Sequence, residues 1–218
     1  MPIMPFFIIG TAVKLQHDGI LIQIFEHYLP ILLIFVTSAY CYILLQYFAL
    51  DGFNLSKTMT YIRNVFPAMI TALGSMSSAS ALPLSIIKAP EENSEQKSNA
   101  SVIIPATVNI HLVGDCFFIP MVAIAVMASF NMGVPSMSDY VIFAVHFVLA
   151  KFAVAAVSGG GILVMLPILQ QYLGFSPEML ALITAIYILF DSLITACNVV
   201  GNGAFAILFD KITRLNLR

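Results

Sequence analysis

The feature that most constrains this chain is a series of apolar segments, several of them longer than the roughly 20 residues that a helix needs to cross a bilayer. Short polar pieces such as "DGFNLSK" and "KAPEENSEQKSN" separate these segments. Of the 218 residues, 60% are hydrophobic and only 9% are charged, a composition that a soluble domain of this size cannot bury. The sequence therefore predicts an all-α membrane protein that lies in a lipid bilayer and binds no nucleic acid.

Six apolar segments can be placed along the chain. Two of them contain clusters of serine or glycine and are predicted to be interrupted, at residues 65–88 and 141–173. The others are predicted helical spans, at residues 1–13 (a partial span), 28–50, 101–131 and 176–209.

The positive charges give these segments an orientation. On one side of the predicted map only Lys14 lies in a loop, and all the other loop or terminal cations fall on the opposite side. Those cations are Lys57, Arg63, Lys88, Lys97, Lys211, Arg214 and Arg218. Because cytoplasmic loops are enriched in Lys and Arg, the crowded side, with the C-terminus, is predicted to be cytoplasmic. Both interrupted segments must then return to the side that they enter from, as re-entrant hairpins.

Each predicted hairpin has a tip that disfavours a continuous helix. The first tip, "ITALGSMSSASALPL", is rich in serine, and the second, "AVSGGG", contains Gly159, Gly160 and Gly161. Backbone that is not helical at membrane depth is tolerated only where protein, water or a ligand satisfies its polar groups. Both tips are therefore expected to line a cavity.

The order of hairpin and span occurs twice. Residues 51–131 contain the first hairpin and one span, residues 132–218 contain the second hairpin and the last span, and residues 1–50 contain the partial span and a full one. Because the hairpins enter from opposite faces, the two later parts form an inverted repeat. Interrupted segments at corresponding places in inverted halves are typical of the binding site of a secondary transporter.

The last span carries a polar stripe. Asp191, Thr195, Asn198 and Asn202 are spaced by four, three and four residues, so they share one helical face. An ionisable side chain at this depth usually faces a bundle interior or water and marks a functional site. The alternative for the two asparagines is that they join helices by hydrogen bonds, without a role in binding.

A second stripe lies in "PATVNIHLVGDCFF". Thr107, His111 and Asp115 are four residues apart on one face, with Asn109 to the side. His111 above Asp115 is one candidate for a titrating pair, and a histidine bonded to a neighbouring helix is the other interpretation. Lys151, at the mouth of the second hairpin, is expected to extend its ammonium to the membrane interface.

The order of elements and their motifs resembles the dicarboxylate/amino acid:cation symporters, the glutamate transporter family. The resemblance covers nearly all of this chain but only the C-terminal half of the family, from the end of its fifth helix to its eighth. It implies a glutamate-transporter-like transport domain with a broken seventh helix and with the N-terminal scaffold helices missing. It also implies a homotrimer if those helices are supplied, and we expect the inner membrane of a bacterium as its location.

The motifs that match include those that form the substrate site in the family. The serine-rich first tip of the family matches "SMSSASALP", its glycine-rich second tip matches "AVSGGG", and its last helix matches "YILFDSLITACNVVGN". Asp191 is implied to take the substrate ammonium and Asn198 its α-carboxylate. The full set implied to bind substrate is Ser77, Ser78, Ser158, Gly159, Asp191, Thr195 and Asn198. The extracellular gate is implied at Gly159, Gly160 and Gly161.

Other positions depart from the family. The arginine that pairs an acidic substrate side chain is replaced by Ile194, which favours a neutral amino acid. Two carboxylates that bind sodium in the family are replaced by His111 and Asn202, which favours a proton carried by His111 or Asp191 over sodium. Of the family motif N-M-D-G-T, only Asn109 remains. The candidate coupling residues are Asn109, His111, Asp115, Asn198 and Asn202.

The predicted function is secondary active transport by cation symport of an amino acid or dicarboxylate. The alternative is a remnant, truncated or split from its N-terminal half, that inserts in the membrane without transporting alone. A membrane serine hydrolase is disfavoured because no G-x-S-G motif is present. We predict no enzyme activity, no cofactor apart from the coupling cation, proton or sodium, and no metal site, since the cysteines lack metal-ligand spacing.

Overall fold

The computed structural model describes Gly10, Val13, His17 and residues 19–50, 52–87 and 94–216. Within these residues the chain forms eight α-helices and no β-strand, which confirms the all-α prediction. The helices are α1 (Ile20–Leu50), α2 (Leu55–Ser75), α3 (Ser78–Ile87), α4 (Ser94–Thr107), α5 (Val113–Ser129), α6 (Met137–Lys151), α7 (Gly160–Leu173) and α8 (Pro177–Asn216).

Part of the predicted map lies outside the described residues. This applies to the partial span at residues 1–13, apart from Gly10 and Val13, and to Lys14, Lys88 and Arg218. The orientation derived from the positive charges therefore stays a prediction.

Among the described residues, two helices are long and apolar enough to cross a membrane, through Glu26–Leu50 in α1 and Pro177–Thr213 in α8. Helices α3, α5 and α7 are apolar but shorter. The span predicted at residues 101–131 is interrupted, because α4 ends at Thr107 and α5 begins at Val113. Helix α4 also begins at Ser94, earlier than the predicted start of that span.

Each of the two interrupted segments forms a pair of packed helices, α2 against α3 and α6 against α7. The first pair turns at Met76, which has a left-handed φ of 52° and donates its N–H to Ala72 O. The second pair turns through residues 152–159, and this turn ends at Gly159, which has a φ of 71°. Glycine has no Cβ and adopts this conformation without steric cost, so the glycine-rich sequence suits the second turn.

The described residues group into two compact units. The first unit comprises the described residues of Met1–Val36 and Phe117–Asp191. The second unit comprises those of Thr37–Cys116 and Ser192–Arg218. Helices α1, α5 and α8 contribute to both units, so the units are interleaved along the chain.

Aromatic contacts hold the first unit. The Phe118 ring, 1% exposed, meets Phe35, Tyr187 and Phe190 at centroid distances of 5.1, 6.1 and 6.2 Å. The interplanar angles of 66 to 76° are edge-on, the arrangement that aligns a ring edge with a neighbouring π face. Each such pair contributes about 0.5–1.5 kcal/mol beyond the burial of its area.

Small side chains hold the second unit. Ala68 and Ala72 of α2 and Ala81 of α3 form one buried cluster with Val199 of α8. Alanine lets helix backbones approach closely, which strengthens packing where lipid removes the hydrophobic drive between helices. Close packing of α3 on α8 positions the serines of the first tip beside the polar stripe of α8.

Candidate functional site

In the second unit, Asn198 of α8 caps the start of α5. Its Oδ1 accepts the backbone N–H of Gly114 at 2.7 Å and that of Asp115 at 3.4 Å. Its Nδ2 donates to Asp115 Oδ2 at 2.9 Å. A helix start leaves its first N–H groups without intrahelical partners, and here a side chain from another helix satisfies two of them. Asn198 and Asp115, 5% and 2% exposed, therefore form one buried polar unit.

Gly114 is what allows this close approach. A Cβ at that position would collide with the backbone carbonyl of Ile194 on α8. Gly201 has a similar role, because a Cβ there would lie 2.7 Å from Val113 Cγ2. The start of α5 therefore needs glycine on both sides of its contact with α8.

We predict that Gly114→Ala lowers the free energy of unfolding by about 1–3 kcal/mol, the usual cost of overpacking a well-packed core. The obstacle is backbone, which cannot turn away as a flexible side chain does. Thermal unfolding of the purified protein in detergent measures the loss. Gly133→Ala is the matched control, since a Cβ there meets nothing within 4 Å. Equal melting temperatures for both variants would contradict the close contact.

Asn202, one turn further along α8, joins α4. Thr107 Oγ1 donates to Asn202 Oδ1 at 2.6 Å, and Asn202 Nδ2 donates to the carbonyl of Ile104 at 3.2 Å. Beside these bonds lies a cavity of about 10 Å³, large enough for about one water molecule. The polar residues that line it are Ser78, Ser85, Asn198 and Asn202. This cavity brings together one serine of the first tip and two amides of the α8 stripe.

The first tip keeps its serines inside the second unit. Ser77 and Ser78 are 2% and 6% exposed. Ser77 Oγ accepts the N–H of Ser80 at 3.4 Å, and its carbonyl accepts the hydroxyl of Ser75 at 3.3 Å. Both of these bonds lie within the tip. Thr195, also predicted as a site residue, is buried on α8 at 5% exposure.

His111 lies in the interruption between α4 and α5. Its ring stacks on Phe205 at 4.7 Å between centroids, and its buried Nδ1 has no hydrogen-bond partner within the described part of the chain. The Asp115 carboxylate bonds instead with Asn198. The titrating pair of His111 and Asp115 considered from the sequence is therefore not formed through Nδ1. Asn109, in the same interruption, is exposed.

In the first unit, the second tip bonds to Asp191. Ser158 Oγ and the N–H of Gly159 both donate to Asp191 Oδ2, at 3.0 and 2.8 Å. Asp191 belongs to α8 and is only 2% exposed. Its carboxylate lies beside the N-terminus of α7, where the helix dipole favours a negative charge. Gly160 and Gly161 begin α7 and are buried, and a Cβ on Gly160 would collide with the carbonyl of Ala155.

The position of Lys151 differs from the one expected from the sequence. This lysine does not extend to the interface but is 4% exposed, with Nζ donating to Gly161 O at 3.4 Å. The sequence also missed Gly114 and Ser85 of the second unit, and it placed Thr107 on a polar stripe without assigning it to the site. Thr107 shares the stripe of His111 and Asp115, which is a signal for it, whereas Gly114 and Ser85 gain their roles only from neighbouring helices.

The model of the sodium:dicarboxylate symporter family matches residues 1–212. The chain belongs to this family. The resemblance found in the motifs is thereby confirmed, and so is the expectation of an integral membrane protein that is not an enzyme.

Individual relatives are more distant. A C4-dicarboxylate transport protein of Solibacter usitatus (strain Ellin6076) is 29% identical over 182 residues, 82% of this chain and 41% of the relative. The excitatory amino acid transporter 1 of Homo sapiens is 23% identical over 214 residues, 98% of this chain and 39% of the relative. The chain thus spans about two fifths of the length of these curated relatives.

Proposed function

We propose that this chain is a secondary active transporter that carries an amino acid or a dicarboxylate by cation symport. The observation that carries the proposal is the buried carboxylate of Asp191 beneath the second tip. The groups Ser158 Oγ and Gly159 N that donate to this carboxylate are themselves neutral. A substrate ammonium can therefore displace one of these neutral donors and gain a charge-assisted bond in an apolar surrounding.

The proposed architecture follows from the same family. The pairs α2–α3 and α6–α7 are re-entrant hairpins that enter from opposite faces, the parts 51–131 and 132–218 form an inverted repeat, and the C-terminus is cytoplasmic. The short length of α3 and α7, 10 and 14 residues, supports hairpin arms that enter a bilayer without crossing it. A homotrimer in a bacterial inner membrane is the proposed assembly, together with the N-terminal helices that the family has.

The proposed substrate is a neutral amino acid. Ile194 occupies the position where the family motif has the arginine that pairs an acidic side chain, and it is 0% exposed. An apolar, fully packed side chain offers no bidentate partner to a second carboxylate. The names of the relatives indicate C4-dicarboxylates and excitatory amino acids for those proteins, so both classes belong in the test.

The proposed coupling ion is a proton. Two family positions that carry sodium-binding carboxylates are His111 and Asn202 here, and neither side chain brings the negative charge that a hard cation prefers. Asn202 also commits its amide to Thr107 and Ile104. His111 keeps a free ring nitrogen within the described part of the chain, so it is the proposed proton carrier, with Asp191 as the other candidate.

The test is uptake of labelled serine, alanine, glutamate and succinate by proteoliposomes at fixed membrane potential. We expect serine or alanine uptake to follow an imposed pH gradient and to be unaffected by an imposed sodium gradient. Uptake that follows sodium alone would overturn proton coupling, and uptake of succinate alone would overturn the amino acid substrate. No uptake of any of the four would overturn transport by this chain.

A matched pair of histidine variants tests the carrier. His111→Gln is expected to lower the pH-driven uptake rate by about tenfold, equivalent to about 1.4 kcal/mol in the barrier. His146→Gln is the control, because His146 is a half-buried histidine of α6 that bonds through Nδ1 to Ile142 O and stacks on Tyr172 at 4.0 Å between ring centroids. If His111→Gln keeps the full pH-driven rate, His111 does not carry the proton.

A further inference from the structure

Lys151 is a buried cation that the proposed transport cycle does not use. It is the last residue of α6 and only 4% exposed. Its Nζ donates to the carbonyl of Gly161 at 3.4 Å and lies 5.1 Å from the centroid of the Phe147 ring. Removing an ammonium from water is costly, so the side chain is retained inside the hairpin only because its surroundings favour a positive charge.

Three features of the hairpin favour that charge. The C-terminus of α6 has the negative end of its helix dipole beside Lys151. The Gly161 carbonyl supplies an oxygen lone pair, and the face of Phe147, itself 4% exposed, supplies π density. A carbonyl oxygen and an aromatic face are what a free monovalent or alkylammonium cation would also require.

We propose that Lys151 is a tethered cation that fixes the tip of the second hairpin. The turn between α6 and α7 spans residues 152–159, and glycine at its end gives the backbone more freedom than any other residue would. The bond from Lys151 to Gly161 closes this turn across ten residues, from the last turn of α6 to the first turn of α7. This bond therefore joins the two arms at the tip, in addition to the packing of α6 on α7.

The bond between Lys151 and Gly161 also affects the groups that donate to Asp191. Gly161 follows Gly159 by two residues, and the Gly159 N–H and the Ser158 hydroxyl are the tip groups that donate to the Asp191 carboxylate. With the first turn of α7 anchored by Lys151, these two donors stay aimed at Oδ2. Lys151 is thus a positioning residue for the tip. This role concerns the hairpin alone and holds whether or not the chain transports a solute.

Thiol labelling of a buried reporter tests the proposal. Val154, in the turn, is 6% exposed, and Val154→Cys reports opening of the tip to N-ethylmaleimide. The background has Cys41, Cys116 and Cys197 replaced by alanine, with the full chain in membrane vesicles. Lys151→Met keeps a long apolar stem without the charge, and we expect it to raise the labelling rate about tenfold. Lys151→Arg, which keeps the cation, is expected to stay within about twofold.

A chemical rescue separates charge from packing. In Lys151→Ala the labelling rate is expected to rise about tenfold, and added n-propylammonium is expected to restore protection, because it supplies an N–H donor to Gly161. Tetramethylammonium has the charge but no N–H group, so it is expected to restore little. Both measurements use one preparation of one variant, so poor folding of another variant does not affect them.

Two results would overturn the tethered cation. The first is a Lys151→Met variant that labels as slowly as the parent, since the stem alone would then suffice. The second is equal protection of Lys151→Ala by propylammonium and tetramethylammonium, or by neither. Lys57→Met, at an exposed lysine of α2, is the control and is expected to leave the labelling rate unchanged.

Discussion

Asp191→Asn is expected to reduce amino acid uptake about 100-fold or more, as removing one partner of a buried charge pair commonly does. The change is isosteric, and the amide oxygen can still accept from Ser158 Oγ and Gly159 N, so the hairpin tip keeps its bonds. What is lost is the negative charge that an ammonium group requires. The fall should appear both in the initial rate of labelled serine or alanine uptake and in equilibrium binding.

The matched control is Asp139→Asn. Asp139 is an exposed carboxylate near the start of α6, where it accepts a hydrogen bond from Ser136. Its neutralisation removes the same charge from the same unit without touching the tip, and uptake should stay within about twofold. If both variants keep full uptake, Asp191 does not bind the substrate amine.

A dicarboxylate substrate gives the opposite result. A molecule without an amine gains nothing from the Asp191 carboxylate and is repelled by its charge. Asp191→Asn should then preserve or increase the uptake of succinate. The direction of the change therefore distinguishes the two substrate classes that the relatives suggest.

The sequence predicts those features of the structure that depend on residues close together in the chain. The breaks at the two helix pairs and the stripe of α8 follow from glycine, serine and helical period, which lie within a few residues of one another. The partners of the stripe are not local, because Asn198 bonds to Gly114 and Asp115 from 83 or 84 residues away. A helical period indicates which side chains share a face, but not which helix that face meets.

Lys151 shows why burial is harder to predict than helix position. A lysine at the end of an apolar helix is compatible both with a side chain that extends to the interface and with one that folds into the hairpin. The choice depends on Gly161 and Phe147, which offer a carbonyl and a ring at the right depth. Phe147 lies one turn before Lys151 on the same helix, but only the packing of α6 on α7 brings the Gly161 carbonyl to the ammonium.

Asn198→Leu is expected to lower the free energy of unfolding by about 3–5 kcal/mol, the cost of breaking a buried polar pair at one partner. Leucine is similar in size but satisfies neither backbone N–H at the start of α5, and it leaves the Asp115 carboxylate without its amide donor. Thermal unfolding in detergent should show the loss. Asn109→Leu, at an exposed asparagine, is the matched control and should cost under about 1 kcal/mol.

The double variant Asp115→Leu with Asn198→Leu then tests whether the two side chains act as one unit. Removing both leaves no buried carboxylate to desolvate, so the pair should be less destabilised than the sum of the single variants by about 1–3 kcal/mol. Additive losses would mean that the two side chains stabilise the helices separately. If the two are strongly coupled, a substrate carboxylate that binds Asn198 in the proposed transporter competes with Asp115 for the same amide. Substrate binding and the start of α5 are then linked through one side chain.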